Sequence, residues 1–218
     1  VMNYLLFIGF VNRHDLLERA VRSIEPLWRH TSIVDNSELR TLRTSPLASC
    51  VNIIEPPVPL SLSQTMNLLK RKGETNHCDV MMFMHNDAEM PPGMAELFLK
   101  KVEQLSQSNV NWRTAIPRCD ALTAFNVKAM TEVGLWDTYL PKYFADGDYY
   151  RRLNLAGYPQ INTEVPILHH NSGASTVKSD ASLAAVHNAT FSQYLRYYVV
   201  KWGGEPGQEA YTAPFNRS

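Results

Sequence analysis

Cysteine is scarce and poorly placed for any framework. Cys50, Cys78 and Cys119 are odd in number, far apart and in no metal-like spacing. That argues against a disulfide scaffold or a zinc module and for free thiols in a reducing, cytoplasmic setting. An excess of charge is missing too. With 21 Lys+Arg against 21 Asp+Glu the formal net charge is zero, so no broad electrostatic footprint for nucleic acid exists. Long hydrophobic runs are lacking. The longest, Tyr4 to Val11, is too short to span a bilayer, and it has neither the basic start nor the cleavage site of a signal peptide. No internal repeat or low-complexity tract appears. Glycine is absent from Phe10-Val-Asn-Arg13, which follows that first apolar run.

What is present fits one large α/β domain. The chain has 218 residues, 44% of them hydrophobic, enough for a sizeable core. Tyr4 to Val11 reads as a buried strand. Asp15-Leu-Leu-Glu18 has the form of a capping box, and apolar residues from Leu16 to Leu27 follow at helical spacing. Strands are expected at Thr31–Val34 and Val51–Ile54, a helix over Ser63–Lys72, and an amphipathic helix after Pro92. The alternation predicts a mostly parallel sheet flanked by helices. The second half is less regular. Strands are expected at Thr114–Ile116 and Leu122–Phe125, a short helix closed by Gly134, and a helix after Asp146-Gly-Asp148 closed by Gly157. An extended run over Ile161–Leu168 and a long amphipathic helix over Asp180–Tyr198 follow. The chain changes character near Asn109.

The most informative stretch is Asp79-Val-Met-Met-Phe-Met-His-Asn-Asp-Ala-Glu89. Val80 to Met84 is too short for a helix and too apolar for a strand with one wet face, so it belongs deep in a sheet covered on both sides. It delivers Asp87 and Glu89 to the strand's C-terminal end, where ligands sit in open α/β sheets. Two carboxylates two residues apart on extended chain point the same way and could share one hard cation. The blander reading is a polar turn without a ligand. Three further polar clusters end apolar segments: Asp35-Asn36, Asp146-Gly-Asp148 and His169-His170. Each alone is weak, since Asp35 could cap a turn and Asp146 or Asp148 the following helix.

Together these clusters resemble the inverting family 2 glycosyltransferases of the GT-A fold, from about Tyr4 to Ser175. Val11-Asn-Arg13, Val34-Asp-Asn-Ser37 and Ser63-Gln-Thr-Met-Asn67 resemble the family's nucleotide-side elements. His85-Asn-Asp-Ala-Glu89 resembles its metal-binding DxD element. The most specific match is Gly134-Leu-Trp-Asp137 with Phe144-Ala-Asp-Gly-Asp-Tyr-Tyr-Arg-Arg152 and Ala156-Gly-Tyr158, which resembles the element carrying the catalytic base. His169-His170-Asn-Ser-Gly-Ala-Ser175 is similar to the C-terminal histidine element. More loosely, Lys201-Trp-Gly-Gly204 and Pro214-Phe215 resemble the ends of some short members, virus-encoded ones included.

The resemblance implies a single domain over 1–218, with a nucleotide-binding half over about 1–108 and an acceptor and catalytic half over about 109–218. It implies Asp146 as base, with Asp148 and Arg152 supporting the site. Val11, Arg13, Asp35, Asn67, Asn86 and Asp87 would face a nucleotide-diphosphate sugar, with uridine the preferred base. Asp87, Glu89 and one of His169 and His170, with His170 favoured, would hold Mn2+ or Mg2+. The acceptor would be a hydroxyl of a glycan or similar molecule. Two departures stand out: Glu89 ends the metal element where aspartate is usual, and Ala145 stands where a glutamate usually precedes the base. The chain is short for the family, which leaves room for fusion to further domains. The alternatives are a nucleotidyltransferase, against which the glycine-free Phe10-Val-Asn-Arg13 counts, and a sugar-nucleotide-binding module without catalysis.

Overall fold

The computed structural model describes residues 2–108 and 110–217. Asn109, where the change of character was expected, lies outside them. The first half runs β1 (Tyr4–Phe10), α1 (His14–Ser23), β2 (Thr31–Asp35), β3 (Asn52–Ile54), α2 (Leu62–Thr75), β4 (Val80–His85), β5 (Ala88–Glu89) and α3 (Met94–Gln107). The second half runs β6 (Thr114–Ile116), β7 (Leu122–Asn126), α4 (Val127–Val133), α5 (Ala145–Leu155), β8 (Gln160–Asn162), β9 (Leu168–His169), α6 (Ser175–Lys178) and α7 (Ala181–Trp202).

Seven strands form one sheet in the order β3-β2-β1-β4-β7-β6-β8. Only β7 runs against its neighbours. The sheet is therefore mostly parallel, and helices cover both faces. Strand alternation decides which residue meets which layer. From β4, Val80, Met82 and Met84 join Leu17 and Val21 of α1 and Phe98 of α3 on one side. Met81 and Phe83 join Met66 and Leu69 of α2, Tyr149 of α5 and Trp202 of α7 on the other. The apolar run around which the sequence is organised is thus dry on both faces, as expected. Gly73 of α2 is where helix and sheet come closest: a Cβ there would lie 2.0 Å from Met81 Sδ.

The local expectations hold less evenly. Asp15-Leu-Leu-Glu18 forms no capping box. Arg13, in a left-handed conformation, precedes α1 without a side-chain cap. Asp15 is spent on Arg13 and Glu18 on Arg22. A capping box does exist one helix later, between Ser61 and Gln64. Neither Asp146 nor Asp148 caps α5, whose first turn follows a left-handed Phe144 (φ 62°). The run expected to be extended over Ile161–Leu168 is broken into β8 and β9. α7 continues past Tyr198 to Trp202, and its buried residues all lie in the last turn, at Tyr198, Lys201 and Trp202.

Candidate active site

Three parallel strands end on one edge of the sheet. β1 stops at Phe10, β2 at Asp35 and β4 at His85, with Phe10 opposite Asp35 and Gly9 opposite His85. The chain then turns at Asn86-Asp87 and re-forms as β5, which pairs antiparallel with β9, so that Ala88 faces His169 and Glu89 faces Leu168. This small second sheet carries the histidine element to the acidic turn.

His85, Asp87 and His169 converge there. One ligand atom from each lies within 4.8 Å of the others. The two imidazoles meet edge to face at 5.0 Å. Asp87 is buried, with Oδ1 3.2 Å from His169 Nε2. Beyond this contact with Asp87, Nε2 is buried without a hydrogen-bond partner. Burial acts to raise the Asp87 carboxyl, but the neighbouring imidazole of His169 and hydroxyl of Ser175 outweigh it and hold it below its ordinary value. Burial, then His169, pushes His85 below its ordinary value, against the pull of Asp87, Asp120 and Asp146. An ionised carboxylate and a neutral imidazole are the forms that bind metals. The unpartnered Nε2 and this donor set fit a divalent cation.

Glu89 and His170 are not brought to the same point. Glu89 Oε2 lies 2.7 Å from Arg19 and 2.9 Å from His170 Nε2. The turn after β4 breaks the extended geometry that would have aligned Asp87 with Glu89. The two histidines face different partners, His169 at the end of β9 and His170 at the start of the 3-10 turn that follows it. It is His169, not the favoured His170, that stands beside Asp87. His85 is the site residue that the sequence reading left out. Its signal was position alone, the first polar residue after a buried run.

The nucleotide-side residues divide. Asp35 is fully buried. Its Oδ1 accepts from Ser37 N at 3.0 Å and Ser37 Oγ at 2.6 Å, while Oδ2 has no partner. Asn86 donates to Asn12 O at 3.0 Å, and Asn12 donates to Thr176 O at 3.0 Å, leaving Asn12 Oδ1 buried and unpartnered. Asn12 therefore joins the loop after β1 to both the acidic turn and α6, a role with no sequence signal beyond its neighbours. Val11 is exposed, and Arg13 grips Asp15 through Nε at 2.9 Å and Nη2 at 2.7 Å. Asn67 is used differently. Its Oδ1 accepts from Trp136 N at 2.8 Å and its Nδ2 donates to Trp136 O at 3.0 Å, which makes it a tie between α2 and the segment before α5.

The pair at the start of α5 also divides. Asp146 is exposed and near enough to His85 for its charge to act there. Asp148 is fully buried and faces away from solvent. Its Oδ2 accepts from Arg152 Nε at 3.1 Å, and its Oδ1 from Trp202 Nε1 at 2.9 Å, with Lys201 Nζ at 2.6 Å. Arg152 further donates to Val133 O at 2.9 Å. Asp148 and Arg152 thus fasten α5 to α4 and α7. Asp120 is an exposed carboxylate whose field reaches both His85 and Tyr150. It stands just before β7 and was not singled out from sequence.

No protein-family profile and no curated protein matches the chain. Solved structures do. A mannosyltransferase from Pyrobaculum calidifontis in complex with GDP-Man and Mn2+ is 14% identical, with a TM-score of 0.55 over 74% of this chain and 54% of that one. GalNAc-T7 with UDP, GalNAc and Mn2+ is 12% identical, with a TM-score of 0.58 over 92% of this chain and 51% of that one. A cytidylyltransferase from Leptospira borgpetersenii is 10% identical, with a TM-score of 0.53 over 88% of this chain and 96% of that one. The chain spans about half the length of the first two. The likeness is one of fold, and the fold is GT-A, the nucleotide-diphospho-sugar transferase type.

Proposed function

We propose that this GT-A domain is a metal-dependent inverting glycosyltransferase, moving a sugar from a nucleotide diphosphate, UDP by preference, to a hydroxyl of a glycan or similar acceptor. The convergence of His85, Asp87 and His169 at the C-terminal edge of the sheet, with the charge of Asp146 on α5 close enough to act on His85, carries this reading. His85, Asp87 and His169 would hold the cation. Two imidazoles beside one carboxylate suit Mn2+ better than Mg2+, which prefers an all-oxygen shell. When bound, the cation supplies charge neutralisation for a diphosphate leaving group.

The chain's own residues do the rest. Asp35 Oδ2 is a buried acceptor without a donor, a costly state that a ligand N–H relieves. Every nucleobase presents an N–H, cytosine and adenine through their amino groups, so Asp35 supports a nucleoside contact without selecting the base. Asp146, exposed and free of the ties that occupy Asp148, is available to take the acceptor's proton as general base. One displacement inverts the anomeric centre, and no second nucleophile is needed. The division into a nucleotide-side half, about 1–108, and an acceptor-side half, about 109–218, follows from this assignment.

A second reading, nucleotidyl transfer, is favoured by the cytidylyltransferase likeness. Against it stands the loop Val11-Asn-Arg13, without glycine and with its arginine occupied by Asp15. A panel of nucleotide sugars and nucleoside triphosphates, tested for thermal stabilisation with Mn2+ and with chelator, tests the proposal. Stabilisation by UDP-sugars with Mn2+ only is the expected result. Stabilisation by nucleoside triphosphates alone would favour the second reading.

A further inference from the structure

Glu89 and His170 each adjoin a residue of the metal cluster by no more than two positions, yet both belong to a different construction. The end of β5 and the residue after it are fastened to α1. Glu89 Oε2 lies 2.7 Å from Arg19 Nη2, and Met90 N donates to Ser23 Oγ at 3.0 Å. β9 has fewer supports. His170 N donates to Asp87 O at 2.9 Å, and beyond it Asn171, Ser172 and Gly173 are all left-handed, at φ 51°, 53° and 74°. Such a run persists only where its surroundings hold it. Just past β9, His170 Nε2 reaches Glu89 Oε2 at 2.9 Å, beside the 3.2 Å approach of His169 Nε2 to Asp87 Oδ1.

We propose that Arg19, Glu89 and His170 form a latch that fixes where His169 stands relative to Asp87 and His85, and that Glu89 holds no metal itself. The inference rests on the metal reading above. Glu89 is already matched by the Arg19 guanidinium, so the pair adds little attraction for a cation, and the guanidinium itself repels one. Glu89 is a positioning residue that acts through His170 on the strand carrying His169. Partners that orient metal ligands without touching the metal are typically worth about 10–100-fold in affinity.

The test is Mn2+ binding to the full chain, followed by electron paramagnetic resonance, with histidine nitrogens counted from their couplings to bound Mn2+. Glu89→Ala and His170→Ala should each weaken Mn2+ about 10-fold. The double variant should be no weaker than either single, because one contact is lost in all three. Two histidine nitrogens should persist in every case. Glu89→Gln keeps an oxygen for His170 and should recover part of the loss, and it guards against a misfolded alanine variant. If Glu89→Ala abolishes Mn2+ as Asp87→Ala does, or leaves it unchanged, or if His170→Ala removes a nitrogen coupling, the latch is wrong. A parent protein that binds no Mn2+ removes the metal reading itself and the latch with it, an outcome distinct from a latch that fails in a protein that binds.

Discussion

Asp146 and Asp148 are two residues apart on one helical turn and should respond to substitution in opposite ways. Asp146→Asn should keep the parent's melting temperature and donor affinity while lowering transfer by at least about 10²-fold, the lower end for general-base catalysis. Asp148→Ala leaves Arg152 without its carboxylate while Lys201 keeps Asp137, and should cost about 3 kcal/mol, the lower end for breaking a buried ion pair. Thermal melts beside donor-binding isotherms read both outcomes. A stable Asp148 variant without activity would exchange the two roles. His85 gives a pH dependence. Its folded-state value lies below the ordinary one, so the unfolded chain binds the extra proton first. Stability is therefore lost as pH falls through the ordinary histidine value, about 6.5. Melting temperature should drop between about pH 7.5 and 5.5, and His85→Gln should flatten that part of the curve. At this scale the sequence marked where carboxylates and histidines cluster but not their pairing. Asp87 with His169 and Glu89 with His170 depend on a register between β5 and β9, and two-residue strands have no periodicity to read.

Between elements, close approach matters more than propensity. Gly73 lies inside α2, where glycine is a poor helix former, but a side chain there would run into Met81. Gly73→Ala should destabilise by more than the propensity gain, an overpacking cost of roughly 1–3 kcal/mol, measurable by urea unfolding. Gly173 is the counterpart at the site. A Cβ would come within 2.6 Å of the His169 ring, and its φ is 74°. Gly173→Ala should weaken Mn2+ binding without unfolding the sheet, as calorimetry and circular dichroism can show. The failed capping box at Asp15 and the real one at Ser61 have a shared explanation. The sequence form of a capping box is local, but Arg13 competes for Asp15 and Arg22 for Glu18. Nothing competes for Ser61, and Gln64 reciprocates. The short span of burial in α7 was also illegible, because an apolar stripe does not say whether a partner covers it.

For the molecule as a whole, the parallel sheet was legible because β1 and β4 are continuous apolar runs followed by polar residues, the pattern that burial on both faces imposes. The reversed β7 was not, since Leu122–Asn126 carries no mark of direction. Among the described residues no helix is long and apolar enough to cross a membrane, and Cys50, Cys78 and Cys119 are all free. The sharpest measurement follows the products formed from an α-linked UDP-sugar by the parent protein, using proton NMR with Mn2+ and then with chelator. The expected result is Mn2+-dependent release of UDP, with the sugar first appearing as the β anomer whether water or an added glycan accepts it. Release of sugar 1-phosphate, first appearance of the α anomer, or turnover indifferent to chelator would contradict a metal-dependent inverting transfer.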